Sequence, residues 1–503
     1  MFRRRLMAAM RVLAILGLAP LGAAAWPPAI DSVQADGPAE VVLVSQPSFT
    51  APGAVIPIQV AITGTARVDN LYVQYDLGPA PWSGSSRYRT ADARGQAGPN
   101  LLQWAAPNPQ TPADAVWYRV IAVAGRSTLR APAEQAIPFG RRLDAGSAKA
   151  SPDWEPDQPW QPMSYGYEGP SGIITTTEPV QGTAGPAEDA LYRTQRVSVG
   201  GRPFHYRFYY GPGIYQARLQ IELRFAELEA AAPGERVFDV LANGEPLVTG
   251  LDIIRAAAGA RRAHIVSREI AVTYRLGSEP VLDIAFVPRT GEAAVAGVAV
   301  RALSAIPQYS AAVQVAGWPD DAHAMLNAAG NGNREPFVRL GRYSDGFEYA
   351  AGLLFRRLPV PQGALVSSAW LELWSYPAVG WQYGAADVSI FAQAADSAPD
   401  FNSNQPRVTA RPLTERQVRW LIDRPWPANQ GVASVNLAAP VQEVIDRPRW
   451  RPGNCLAIVI VPNTGRVGWR DAIAWDWPDD SGHPTGSRAA TLHVTYVPAE
   501  FRP

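Results

Sequence analysis

The chain has 503 residues, 45 basic and 45 acidic side chains, 47 prolines, 43 glycines and one cysteine. Zero formal net charge excludes the electrostatic footprint of nucleic-acid binding. A single lysine, Lys149 in a Ser/Ala/Gly stretch, excludes the GK[ST] phosphate loop and Schiff-base chemistry.

The chain starts with a basic Met1-Phe2-Arg3-Arg4-Arg5, an apolar run from Val12 to Leu21, and Ala23-Ala24-Ala25 before Trp26. These are the three regions of a secretory signal peptide over 1–25, with cleavage after Ala25. An uncleaved anchor is the alternative, although the apolar run is short for spanning a bilayer. Removing the leader takes away Arg3, Arg4, Arg5 and Arg11 and leaves 41 basic against 45 acidic residues. With those three regions in order, the mature chain is expected outside the cytoplasm, secreted or at the cell surface; no later stretch is long and apolar enough to cross a membrane, and no transmembrane segment is expected. The lone Cys455 excludes an intramolecular disulfide, and stability must come from hydrophobic cores.

Length allows about three domains. Proline and glycine interrupt nearly every run of ten to fifteen residues, which is an all-β signature. Residues 26–40 read as a Pro/Ala-rich linker. The region 41–139 carries short strands at 41–43, 56–62, 71–75, 101–104 and 117–123. A second domain spans 142–303. It opens with an aromatic, Pro-rich loop between 151 and 182 that holds Trp154, Trp160, Tyr165 and Tyr167. Phe204, Tyr206, Phe208 and Tyr210 then alternate on one face as a core stripe, with Tyr209 turned the other way. Leu219, Ile221, Leu223 and Phe225 alternate in a further strand. A strand at 237–241 ends in the turn pair Asn243-Gly244. The third domain, 308–503, has strands at 369–374 and 388–391, an apolar run 455–461, and a closing strand 490–496. Cys455 in that run is expected to be a buried structural thiol.

Several of these segments form an ordered set: Leu191-Tyr192-Arg193-Thr194-Gln195-Arg196, Gly213-Ile214-Tyr215, Phe225-Ala226-Glu227, Arg236-Val237-Phe238-Asp239-Val240 and Asn243-Gly244. Together they resemble the malectin domain, a β-sandwich that binds short glucans in the animal protein for which it is named. The strand 117–123 resembles the late strand of an immunoglobulin or fibronectin type III sandwich. In the third domain, Asp320-Asp321-Ala322, Gly352-Leu353-Leu354-Phe355 and Trp450-Arg451-Pro452-Gly453-Asn454 resemble the jelly-roll-like DNRLRE or disaggregatase-related modules. The expected architecture is therefore all-β, three tandem β-sandwiches (immunoglobulin/fibronectin III-like, malectin-like, jelly-roll-like) after a signal peptide. The malectin resemblance also implies where sugar-facing residues should stand. Tyr165-Gly166 matches one tyrosine of that set. Val197 replaces a second, Glu229-Ala230 replace a Tyr-Phe pair, and Gly291-Glu292 stand near the place of a ligand aspartate. The carbohydrate-binding candidates are thus Tyr165 and the loop residues Trp154, Trp160 and Tyr167.

Catalytic templates fail: the sequence has no HExxH, GxSxG or CxxC, and His205, His264, His323, His483 and His493 have no ligand spacing. A glycosidase needs two facing carboxylates. Asp252, Asp283, Asp471, Asp476, Asp479 and Asp480 are the acidic candidates, whereas Asp239 reads as a structural acceptor. Asp476, Asp479 and Asp480 in one turn, and Asp320-Asp321 in another, are either solvated carboxylates or calcium ligands. Calcium is the one cofactor that the sequence leaves open. The leading expectation is a non-catalytic carbohydrate-binding protein, with a glycan or envelope polysaccharide as partner. A structural or adhesive protein that holds surface proteins is the alternative, and an enzyme with an unrecognised carboxylate pair is the third reading.

Overall fold

The computed structural model describes residues 40–63, 70–79, 89–92, 101–111, 114–124, 127–130, 135–150, 153–274, 279–326, 335–343, 347–376, 382–402, 407–477 and 485–502. The leader, the linker up to residue 39, and the calcium candidates Asp479 and Asp480 lie outside the described residues. The chain is all-β and divides after Pro307 into two compact units.

In the N-terminal unit, a three-stranded sheet (Glu40–Ser45, Val55–Thr63, Leu101–Ala105) is accompanied by a five-stranded one built on Asn70–Gly78 and Ala115–Ala124. Their shared core holds Ile56, Ile58, Val73, Leu102, Tyr118 and Val120. Two further five-stranded sheets follow. In one, Ile214–Phe225 lies between Gly297–Pro307 and His264–Thr273, with Gly140–Asp144 and Glu155–Pro156 beyond. In the other, Val281–Thr290 lies between Phe204–Tyr209 and Val237–Ala242, flanked by Tyr165–Glu168 and Glu245–Leu251.

Period-2 alternation decides how these sheets face each other. Leu219, Ile221, Leu223 and Phe225 are buried, while Arg218, Gln220, Glu222 and Arg224 point away. Phe204, Tyr206 and Phe208 are buried on the second sheet, and Phe225 meets Phe238 across the sandwich at 5.9 Å between ring centroids. Phe204 stacks on Phe286 at 4.8 Å. The aromatic stripe is core, as its spacing suggests. Asn243 (φ 48°) and Gly244 (φ 84°) are left-handed in succession, which the two-residue hairpin turn requires.

The expected 151–182 loop is a correction: Glu155–Pro156, Tyr165–Glu168 and Ser171–Thr175 within it pair as strands. Lys149 is exposed just before this segment.

In the second unit, a four-stranded sheet (Tyr309–Gln314, Thr491–Val497, Leu365–Trp374, Gly431–Ala433) is accompanied by an eight-stranded one centred on Glu348–Phe355 and Leu456–Pro462. Trp450 is fully buried, and its indole N–H donates to the Val360 carbonyl at 2.9 Å. Two expectations are corrected here. Cys455 precedes the apolar strand and is half-buried, because only the residues after it enter the ladder. Asp320 and Asp321 are buried instead of solvated. Arg356 neutralises Asp320 at 2.5 Å. Asp321 accepts the Trp475 N–H, and its carboxyl is pushed up to about 7 by burial, with Asp476 and Asp320 adding to the effect.

Candidate functional site

The sequence motifs of the middle region converge on one buried guanidinium. Arg236, from the Arg-Val-Phe-Asp-Val segment, pairs with Glu227 of Phe-Ala-Glu at 2.8 Å and with Glu229 at 2.9 Å. It also donates to the Glu292 carbonyl at 3.0 Å. Glu227, whose side chain is 1% exposed, accepts the N–H groups of Glu229 and Ala230 at 3.0 and 2.9 Å. The two residues that stand in place of the Tyr-Phe pair are thus held by the motif glutamate itself. The Glu292 carboxylate accepts from the Ser198 hydroxyl and the Gly201 N–H; burial would raise its pKa, but these bonds hold it below the usual range. Val197 is buried. This cluster presents carboxylates and backbone where aromatic rings were expected to meet a sugar.

Tyr165 stands in another neighbourhood. Its hydroxyl donates to Glu155 at 2.8 Å, and the Arg141 guanidinium lies 4.2 Å from its ring centroid. The other three loop aromatics each meet an arginine as well. Arg196 lies 3.2 Å from the Tyr167 centroid, Arg207 lies 5.1 Å from Trp160, and Arg224 lies 5.9 Å from Trp154. All four rings are half-buried. Trp154 staples the segment to the sheet, since a Cβ at Gly297 would come within 2.9 Å of its ring. Tyr165 and Tyr167 lie opposite Phe208 and Tyr206 and share their inward side. Trp160 differs: it lies against Arg207 on the outward side of that sheet, and its buried indole N–H has no hydrogen-bond partner among the described residues.

Asp157 anchors the segment. Its carboxylate meets Arg196 at 2.8 Å, the Tyr206 hydroxyl at 3.0 Å and the Gly146 N–H at 2.6 Å. Asp144 stands nearby with one buried oxygen that has no hydrogen-bond partner among the described residues. Its carboxyl is pushed up to about 7, first by burial and then by the Asp157 charge.

Residues 147–279 match the family model of the malectin domain. This region is a malectin domain. Solved structures similar to the chain include the ANX1 ectodomain from Arabidopsis thaliana, at 12% identity and TM-score 0.25, covering 71% of this chain and 96% of that one. The ANXUR2 extracellular domain from the same plant matches at 13% identity and TM-score 0.25, with the same coverage. A β-glucuronidase of Bacteroides uniformis matches at 18% identity and TM-score 0.27, over 50% of this chain; the chain spans 28% of that enzyme's length. No curated protein matches the sequence.

Around Trp160 the malectin domain gathers a polar surface. Arg207 pairs with Glu168 at 2.6 Å and with Asp283 at 3.1 Å, and Asp283 also meets His205 Nδ1 at 3.0 Å. Burial pushes Asp283 upward, but the His205 and Arg207 contacts outweigh it and hold its pKa below the ordinary carboxylate value. Sequence reading held Asp283 only as an acidic candidate and His205 as a histidine without ligand spacing, and it missed Arg207, Glu168 and the other arginines that meet the rings. Their one legible signal was the alternation of His205 and Arg207 with the buried stripe.

The remaining acidic candidates have structural partners. Asp239 accepts the Gly250 N–H at 2.7 Å and pairs with Arg289, as a structural acceptor should. Asp252 caps the short helix Ile253–Ala257 by accepting the Arg255 N–H. In the second unit Asp471 pairs with Arg339 at 2.8 Å. Asp476 lies close enough to Asp321 to raise its pKa, and among the described residues no three His, Cys, Asp or Glu side chains form a metal-binding group. No described helix is long and apolar enough to cross a membrane.

Proposed function

We propose that the protein is a non-catalytic carbohydrate-binding protein, secreted or held at the cell surface, that takes a glycan at the Trp160 edge of its malectin domain. Trp160 carries this reading. A half-buried indole whose N–H has no partner among the described residues lies against Arg207, which joins Glu168 and Asp283, and Asp283 meets His205, so an apolar ring and hydroxyl-binding groups share one neighbourhood. A pyranose offers the complementary surface, with C–H groups on its face and hydroxyls at its rim. A non-catalytic role accords with the structural partners of Asp239, Asp252, Asp283 and Asp471. Secretion accords with the leader-like residues 1–25. A structural, adhesive role is the second reading, favoured by the arginines that meet all four loop rings.

The test is calorimetric titration of the chain with neutral glucan oligosaccharides and envelope polysaccharides, using wild type and Trp160→Ala. Binding that the substitution weakens supports the glycan reading, and binding to none of them turns it to the adhesive one. N-terminal sequencing of protein from the culture medium tests secretion; a chain recovered only in the cytoplasm would overturn it.

A further inference from the structure

A cleft of about 960 Å³ opens within the N-terminal unit, beside the outward face of the malectin-domain sheet. Register defines its floor. Arg142 and Glu222 both lie opposite Ala299, and Gln220 lies opposite Arg301. Their neighbours Leu143, Ile221, Val298 and Val300 are buried, so these four side chains project outward together. Gln110, Thr111 and Asp114 of the N-terminal sandwich form the facing wall. Elsewhere along the same seam, residues near the N-terminal sandwich are tied to the floor strands by hydrogen bonds. Ala302 N–H donates to the Phe139 carbonyl at 2.9 Å, and Ala305 N–H donates to Pro52 at 3.0 Å. Arg141 adds a bond to the Ser48 carbonyl at 2.7 Å.

The lining sets three guanidiniums, Arg141, Arg142 and Arg301, against four carboxylates, some paired and some not. Glu222 is taken up by Arg224 at 2.7 Å, and Glu155 by Arg141 at 2.7 Å. Asp114 accepts from the Gln110 and Thr111 N–H groups and the Thr111 hydroxyl, and those bonds hold its pKa low against burial. Arg142 and Arg301 are both exposed, and among the described residues neither has a carboxylate partner. Arg301 donates only to the Gln220 amide at 3.1 Å. Among the described lining residues, Asp153 on the rim and the ionised Asp114 on the facing wall are the carboxylates without a guanidinium partner, so the attraction for an anion is local to the Arg142–Arg301 pair.

We propose that this cleft binds an anionic oligosaccharide, with a carboxylate or sulfate between Arg142 and Arg301 and ring hydroxyls toward Gln220, Gln110 and Thr111. Guanidinium groups receive such anions through paired N–H bonds, and neutral amide and hydroxyl groups suit sugar hydroxyls. The volume falls in the range of small-molecule sites. The proposal rests on the glycan-binding reading above, but it uses a different surface and a different ligand charge.

The experiment titrates the whole chain with four probes: a hyaluronate tetrasaccharide, a heparin-derived tetrasaccharide, a neutral glucan tetrasaccharide and oligo-glutamate. At least one acidic sugar should bind, more weakly as salt rises. Arg142→Gln and Arg301→Gln should each weaken that binding about tenfold, while Arg142→Lys restores part of it. Arg218→Gln, which removes a paired arginine from the same face, should change nothing. Thermal melts establish folding of each variant. Hyaluronate against heparin separates carboxylate from sulfate. Undiminished binding in the Arg142→Gln/Arg301→Gln double variant, an equal loss from Arg218→Gln, or no acidic sugar bound at all would overturn the proposal. Equal binding of oligo-glutamate would replace the sugar with an acidic peptide. Neutral glucan binding that depends on Trp160 while the acidic sugars fail would leave the earlier reading standing and remove only this one.

Discussion

In and around the malectin domain, two regions use arginine in different ways. At the motif cluster, one guanidinium gathers Glu227, Glu229 and the Glu292 carbonyl, and both Arg236 and Glu227 are nearly inaccessible. Along the segment 153–168, four guanidiniums meet four half-buried rings one to one. A buried charge with several partners becomes very costly to unmatch, and Arg196, buried against Asp157, shares that character; the arginine–ring contact at half-exposed Arg207 contributes little by itself. The motif residues therefore hold the fold, and the surface beside them is free to vary in what it recognises.

The contrast is sharpest in stability. Arg236→Met leaves the Glu227 charge buried without its partner and should cost about 3–5 kcal/mol in chemical denaturation. Arg207→Met, at a half-exposed position, should cost about 1 kcal/mol or less. Similar losses in the two variants would erase the distinction.

The next effect depends on pH. The Asp144 carboxyl, pushed up to about 7 from an ordinary 3.8 by burial and by Asp157, favours the folded state while it carries its proton. Its contribution is full below the ordinary value and is lost as pH rises through about 7. Wild type should therefore lose stability relative to Asp144→Asn by about 2 kcal/mol between about pH 5 and pH 8. Asp321, raised for the same reason in the other unit, is present in both proteins and cancels from that difference. Denaturation curves at several pH values measure it; parallel pH profiles would remove the Asp144–Asp157 coupling from the account.

A smaller change separates the loop aromatics from one another. Loss of the Trp160 platform should weaken glucan binding about tenfold, corresponding to about 1–2 kcal/mol of lost burial. Trp154→Ala should lower the melting temperature instead and leave affinity near wild type in the folded protein, because that ring packs on Gly297. If the two substitutions trade these phenotypes, the assignment of staple and platform is reversed.

The smallest effect is expected at Cys455. Cys455→Ala should cost less than about 1 kcal/mol, since the side chain is half-buried against a small cluster of Leu, Val and Ala. Thiol titration of the native protein should be slow, and complete labelling within the mixing time would contradict a packing role.

Much of the fold was legible because alternation is a local signal. The strands Ile214–Phe225 and Phe204–Tyr209 and the Asn243-Gly244 turn follow from side chains next to one another. The strands Glu155–Pro156, Tyr165–Glu168 and Ser171–Thr175 were hidden, because proline and glycine interrupt them and they have too few residues to show a period. The candidate-site aromatics were legible as residues in the sequence, but their surroundings were not. Arg224 meets Trp154, and Arg207 meets Trp160, only after distant strands have paired. Burial of Asp320 and Asp321 was missed for the same reason: their partners Arg356 and Trp475 arrive from far along the chain.

The nearly complete use of arginine for positive charge has a practical consequence. Lys149 is exposed, and it lies a few residues before the aromatic segment. Amine-directed chemistry would modify one side chain in the whole protein, apart from a chain-terminal amine. A biosensor surface coupled through Lys149 would attach the molecules at one exposed point close in sequence to the segment 153–168. Coupling through carboxylates would leave the orientations mixed. Comparing glycan responses from the two surfaces would then show how close the occupied site lies to Lys149, without altering a single residue.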